Sequence, residues 1–137
     1  MSISKLVLIL ATVAGLGLAA ASRSVRDGVF TKAQATRGQN VYNEECAKCH
    51  GQNLAGGESS PGLAGAEFLA KWQGKPLNGL FEVTRTTMPA DDPGHLSRRQ
   101  VADLMAYILS SNELSAGEKD LENSADALND IRIEGKK

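Results

Sequence analysis

Apolar residues fall into three kinds of pattern along this chain. From Leu6 to Ala20 they are nearly continuous, behind the single basic Lys5 and ending in Ala19-Ala20-Ala21. A short basic start, an apolar run and a small-residue exit are the layout of a secretory signal peptide. Thr12, Gly15 and Gly17 interrupt the run, which falls short of the ~20 apolar residues that span a bilayer comfortably. Residues 1–21 are expected to be cut away on export, and the competing expectation is an uncleaved N-terminal anchor.

A helical period follows. Thr31-Lys-Ala-Gln34 has the composition of a capping box, in which the Thr hydroxyl and the Gln side chain satisfy each other's backbone amides. It predicts a helix over about Lys32–Ala47 with Ala35, Gly38, Val41, Tyr42 and Cys46 along one side. Ser97-Arg-Arg-Gln100 is a second box, and Val101, Leu104, Met105 and Ile108 after it sit at i, i+3, i+4 and i+7. Asn112 ends that helix. Between the two, residues 51–94 hold all 4 prolines and eight of the 14 glycines, so loops are expected there, with short helices at Ala66–Trp72 and Leu77–Arg85. The remainder is polar. A short helix around Ala125–Asn129 and a β-like Ile131-Arg-Ile133 are expected, either lying across the domain or loose.

The fold class is therefore all-α: two good helices bracketing a loop-rich middle. The chain divides into a signal peptide (1–21), a flexible lead (22–30), one domain (31–112) and an acidic C-terminal extension (113–137).

Charge excludes one class of partner. Without Lys5, 14 basic residues face 16 acidic ones, whereas nucleic-acid binding needs a basic excess or patch. The core is thin, with six aromatics in 137 residues, and a domain this small is marginal without a staple or cofactor. The two cysteines, Cys46 and Cys49, would close too short a loop for a disulfide to stabilise much. A bound cofactor is the more economical source of a core.

Cys46-Ala-Lys-Cys49-His50 supplies its attachment. Cysteines three apart at a helical end project to one side, so both sulfurs can add to the vinyl groups of one porphyrin while the adjacent His50 reaches the iron; Cys-x-x-Cys-His is the c-type haem attachment pattern. Two other readings compete. A thioredoxin-like pair wants a βαβ setting and a cysteine at a helix N-terminus. A structural zinc site needs four ligands and would consume Cys46, Cys49, His50 and His95, every Cys and His present. For the second axial ligand the candidates are Met88, Met105 and His95. Met105 lies in an apolar stripe and is expected in the core; His95 is expected as a solvated loop residue. Trp72 and Phe68 are expected beside the haem, the Trp72 indole N–H reaching a propionate or simply packing; Arg85 is expected as a solvated cation.

Over residues 31–112 the chain resembles the class I c-type cytochromes. Pro61-Gly-Leu63-Ala-Gly65 is similar to that family's Pro-x-Leu-x-Gly loop, which implies that the Pro61 carbonyl accepts the proximal histidine's Nδ1–H. Thr87-Met88-Pro89 resembles its Met-Pro ligand loop, which favours Met88 as the sixth ligand. Gly38 and Tyr42, with Leu104 and Tyr107, match its crossing of N- and C-terminal helices. Trp72, Thr87-Met-Pro, Pro93-Gly94 and Leu96-Ser97, followed by Ser-Asn112, Ala116-Gly117, Leu128 and Ile131-Arg-Ile133, are similar to small cytochromes and cytochrome domains associated with quinoprotein dehydrogenases, although Ser115 stands where a proline is expected before Ala116.

The resemblance implies one covalent haem c with His50/Met88-ligated iron, its pocket including Cys46, Cys49, Pro61 and Trp72. It implies a periplasmic one-electron carrier rather than an enzyme, meeting transient redox partners, possible donors being quinoprotein dehydrogenases, with no membrane contact after signal cleavage. The alternatives are an anchored electron-transfer subunit of a dehydrogenase or oxidase, and an open-site haem protein that binds a small ligand.

Overall fold

The structure, a computed structural model, describes residues 22–135; the expected signal peptide lies outside them. Its framework is a pair of crossing helices, α1 (Lys32–Glu45) and α5 (Arg98–Ser111). The predicted stripes are what they bury: Ala35 and Tyr42 from α1, and Val101, Leu104, Met105 and Ile108 from α5. At the crossing the backbones nearly touch. A Cβ on Gly38 would overlap the Asp103 carbonyl, so only glycine fits there. One turn on, the Tyr42 and Tyr107 rings meet at 5.3 Å between centroids, tilted by 54°, within the range favoured by aromatic pairs.

The caps differ. At Ser97 both halves of the box form. At Thr31 only one does: its hydroxyl accepts the Gln34 N–H at 3.0 Å. The buried Gln34 side chain turns instead to the C-terminal segment, donating to the Leu121 carbonyl at 3.1 Å and accepting the Leu121 N–H at 2.6 Å. A buried backbone pair without partners costs about 1–3 kcal/mol per group, which outweighs a cap amide that water can reach.

Helix α1 also stops earlier than expected. Cys46 leaves helical geometry (φ −122°, ψ −37°), and a separate turn, α2 (Ala47–His50), follows. The Tyr42 hydroxyl holds this turn under α1 by donating to the Gly51 carbonyl at 2.7 Å. Two short helices complete the middle: α3 (Ala66–Trp72) and α4 (Leu77–Thr87).

The two ends correct the sequence reading most. Residues 22–30, expected as a flexible lead, are ordered: β1 (Arg23–Ser24) runs into a capped 3-10 turn, and Val25, Val29 and Phe30 are buried. The C-terminal segment is not loose. It forms α6 (Ala125–Asn129) and β2 (Ile131–Arg132), the latter paired parallel to β1 with Arg23 opposite Ile131. Net negative charge hid its apolar anchors, for Leu114, Leu121, Leu128, Ile131 and Ile133 are all buried. Its acids are used as well. Arg37 bridges Asp103 at 3.1 Å and Asp120 at 2.6 Å. Backbone bonds between Ile133 and both Gly74 (2.8 Å) and Lys75 (2.9 Å) fasten the strap to the α3–α4 connection. Among the described residues no helix is long and apolar enough to cross a membrane.

Candidate functional site

The turn that carries Cys46, Cys49 and His50 is short and fully bonded. Cys49 and His50 donate their amides to the Cys46 carbonyl at 3.1 and 2.9 Å, and Gly51 closes on Ala47 at 2.9 Å. Residues three apart on such a turn lie on one side, so Cys46 and Cys49 are placed as a pair, both as free thiols. Burial, then the neighbouring Glu45 and Cys49 charges, push the Cys46 thiol up to about 11. A redox pair of the thioredoxin kind wants a βαβ setting, and the described residues are helical apart from one pair of two-residue strands.

His50 is 9 % exposed, and its Nδ1–H donates to the Pro61 carbonyl at 2.8 Å. A carbonyl can only accept, so this bond places the proton on Nδ1 and leaves the Nε2 lone pair available for a metal. Nε2 has no hydrogen-bond partner among the described residues. Pro61 is positioned by a tight loop: Gly56 donates to the His50 carbonyl at 2.8 Å, Gly57 to Ser60 at 2.9 Å and Leu63 to Leu54 at 2.8 Å.

Met88 is half-buried at the C-terminal end of α4, where its N–H donates to Thr84 at 3.0 Å. The loop that follows is tied back to the cysteine segment at two points. Lys48 pairs with Asp91 at 2.9 Å, and His95 Nε2 lies 3.3 Å from Glu45. The Met88 loop and the Cys46–His50 turn therefore belong to one neighbourhood, although about forty residues separate them in the chain.

The remaining candidates sort cleanly. Met105 is fully buried in α5, as core. His95 is not a simple solvated residue: the Asp92 carbonyl, then Glu45, raise its pKa, and it acts as a tether. Arg85 is not free either, because it binds Glu82 at 2.9 Å; Arg98 holds the same carboxylate at 2.7 Å. Together, Arg98 first, they lower the Glu82 pKa. Trp72 is half-buried against the core with Lys71 and Lys75 over its ring at 5.8 and 5.2 Å, and no hydrogen bond joins it to the Cys46–His50 turn. Phe68 is buried in the same core. Among the described residues no three His, Cys, Asp or Glu side chains converge to hold a metal ion. Two surface hollows, of about 180 and 300 Å³, are lined by residues of the N- and C-terminal segments and by residues of α1 and α5; neither involves the cysteines, His50 or Met88.

A role missed from sequence is that of Asn112, seen there as a helix stop and as part of the resemblance but not as a loop contact. Its buried side chain grips the Pro61–Gly65 loop from the end of α5. An Asn at a helix end is too common a signal to reveal this.

These donors fit haem c. Two paired thiols, an imidazole fixed as the Nδ1–H tautomer with Nε2 open, and a thioether on a tethered loop are the set such a group requires.

The model of the family described as cytochrome c oxidase, cbb3-type, subunit III, matches residues 33–108, more than half of the chain. No curated protein matches. Among solved structures, a chain of the sulfane dehydrogenase SoxCD from Paracoccus pantotrophus is similar at a TM-score of 0.55 and 21% identity, over 82% of this chain and 60% of that one. At that identity the likeness establishes the fold alone, and this chain spans about 60% of that relative's length. The matched span runs from the start of α1, through the Cys-x-x-Cys-His turn and Met88, into α5; the chain belongs to the cbb3-type cytochrome c oxidase subunit III family and is a class I c-type cytochrome, an electron-transfer protein of a family that carries covalent haem c.

Proposed function

We propose that this chain is an exported, periplasmic monohaem cytochrome that carries single electrons between transient protein partners and catalyses no reaction of its own. Haem c supplies the Fe(III)/Fe(II) couple when bound. The chain's own residues would hold and tune it: Cys46 and Cys49 would anchor it through thioethers, His50 and Met88 would ligate its iron, and Pro61 would fix the His50 tautomer. An iron held by both His50 and Met88 would have no position open to activate a substrate, so this ligand set would suit a carrier rather than an open-site ligand binder. Trp72 is proposed to wall the pocket from the α3 side. The observation that carries the reading is the His50 ring, donated through Nδ1 to Pro61 at 2.8 Å on the same turn as two unpaired thiols.

Redox interfaces of this kind are small and short-lived, and the partners are proposed to be a donor dehydrogenase, the quinoprotein class included, and a downstream acceptor. A second reading, an electron-transfer subunit held in an oxidase or dehydrogenase complex by residues 1–21, draws on the name of the matched family.

The ligand assignment is tested with Met88→Ala. The oxidised wild type is expected to show the near-infrared sulfur-to-iron charge-transfer band, and the variant to lose it while keeping its covalent haem. A band of undiminished intensity in the variant would sink the assignment.

A further inference from the structure

We infer that Asn112 is a positioning residue for the proximal ligand, coupling the end of α5 to the carbonyl that His50 leans on. The inference rests on the reading of His50 as an iron ligand and adds a control point to it.

The Pro61–Gly65 loop contains two glycines, and Pro61 itself is exposed. Little in the loop's own composition fixes the direction of the Pro61 carbonyl. Its upstream arm is held by the Gly57–Ser60 turn and its centre by the Leu63 amide on Leu54. Its downstream arm is held by one side chain from a distant element. Asn112 is 5 % exposed; its Nδ2 donates to the Leu63 carbonyl at 3.0 Å and to the Ile108 carbonyl at 2.8 Å, and its Oδ1 accepts the Gly65 N–H at 3.0 Å. One amide thus bonds the loop at residues 63 and 65 and ties it to the last turn of α5.

The chemistry demands an amide. The site presents two carbonyl acceptors and one N–H donor, and only Asn or Gln offers two donors and an acceptor on one planar group. Asp would oppose two carbonyls with a second oxygen. Ser is too short to reach both arms. Gln would have to fold an extra methylene into a buried space. A side chain serving only as a helix C-cap would need the bond to Ile108, not the two to the loop.

The consequence lies in the His50 bond. A well-aligned Nδ1–H···O=C bond increases the basicity of the ring and so favours the oxidised iron. Loosening the loop lets the Pro61 carbonyl drift, weakens that bond and raises the reduction potential. It also exposes the Nδ1 proton to solvent exchange.

The test compares Asn112→Asp and Asn112→Ser with Gln34→Ala, which releases the Leu121 clamp far from His50 and lowers stability by another route. All are made as full-length holoproteins. Potential is measured by redox titration, and solvent exchange of the His50 Nδ1 proton by NMR. Both Asn112 variants are expected to raise the potential and speed that exchange about tenfold or more, the scale of one lost buried hydrogen bond. Gln34→Ala is expected to leave both readings at wild-type values despite its lower unfolding midpoint. Asn112 variants with lowered stability but unchanged potential and exchange would overturn the inference while leaving His50 as ligand. A wild type whose His50 Nε2 is not on iron, or that takes up no haem, would overturn both together. If one Asn112 variant fails to fold, the other carries the comparison.

Discussion

The α1–α5 crossing and the loop-rich middle solve the same problem, fixing a backbone in place, by opposite means. The crossing is held by area: two stripes at helical spacing, an aromatic pair and one glycine that lets the backbones meet. Many contacts share the work, so the loss of one side chain is diluted. The middle buries Leu54, Phe68, Leu77, Leu80 and Phe81 as well, but its loops are directed by individual hydrogen bonds, among them Gly56 to His50, Leu63 to Leu54, Tyr42 to Gly51 and the Asn112 grip. Each is a single point of failure, and the proposed haem ligands sit there. Stability and tuning are therefore separable in this molecule, the first residing largely in the helices and the second in the loops.

That separation can be broken from either side. The largest expected effect is at Gly38. A methyl group there would overlap the Asp103 carbonyl, and backbone cannot step aside as a side chain can, so Gly38→Ala is expected to cost about 3 kcal/mol or more in chemical denaturation. Haem that remains attached should keep a near-normal potential. A large potential shift with little lost stability would contradict the division.

Gly56 is the counterpart in the middle. It adopts φ +85°, and an added Cβ would lie 2.6 Å from the Ser60 carbonyl oxygen and 2.9 Å from the Pro61 carbonyl carbon. Gly56→Ala is expected to cost roughly 1–3 kcal/mol through strain, less than Gly38→Ala, yet to shift the potential more because it pushes on the loop supporting His50. Redox titration and unfolding of the two variants side by side decide the matter.

Tyr42 joins the two regions, its ring in the crossing and its hydroxyl on Gly51. Burial raises its phenol to about 12, from about 10 in an unfolded chain. A raised folded value means that the unfolded state loses the proton first. The stabilising contribution is whole below pH ~10 and disappears as pH climbs toward ~12. Unfolding series across that window should fall more shallowly for Tyr42→Phe than for the wild type. Parallel slopes would remove Tyr42 from the alkaline response.

How much of this was legible in the sequence follows the same divide. Helix positions were legible because periodicity reports buried area: α3 and α6 fall at their expected bounds, and α4 runs only two residues further. The attachment motif was legible because Cys-x-x-Cys-His is a chemical requirement stated in residue types. What stayed hidden depends on distant partners. Gln34 has the spacing of a cap but serves Leu121, and Asn112 marks a helix end but serves residues 63 and 65. The docking of the ends, though not the positions of α6 and β2, stayed hidden for a third reason. Leu114, Leu121 and Leu128 stand singly among polar and charged residues, because an extended strap buries isolated anchors rather than one continuous apolar face.

The most direct test of the central claim is the intact mass of the protein recovered from an exporting host that attaches haem to a control c-type cytochrome. The account predicts residues 22–137 plus one haem, with no thiol left to alkylate at Cys46 or Cys49. A polypeptide at its bare mass with two alkylatable thiols would contradict it.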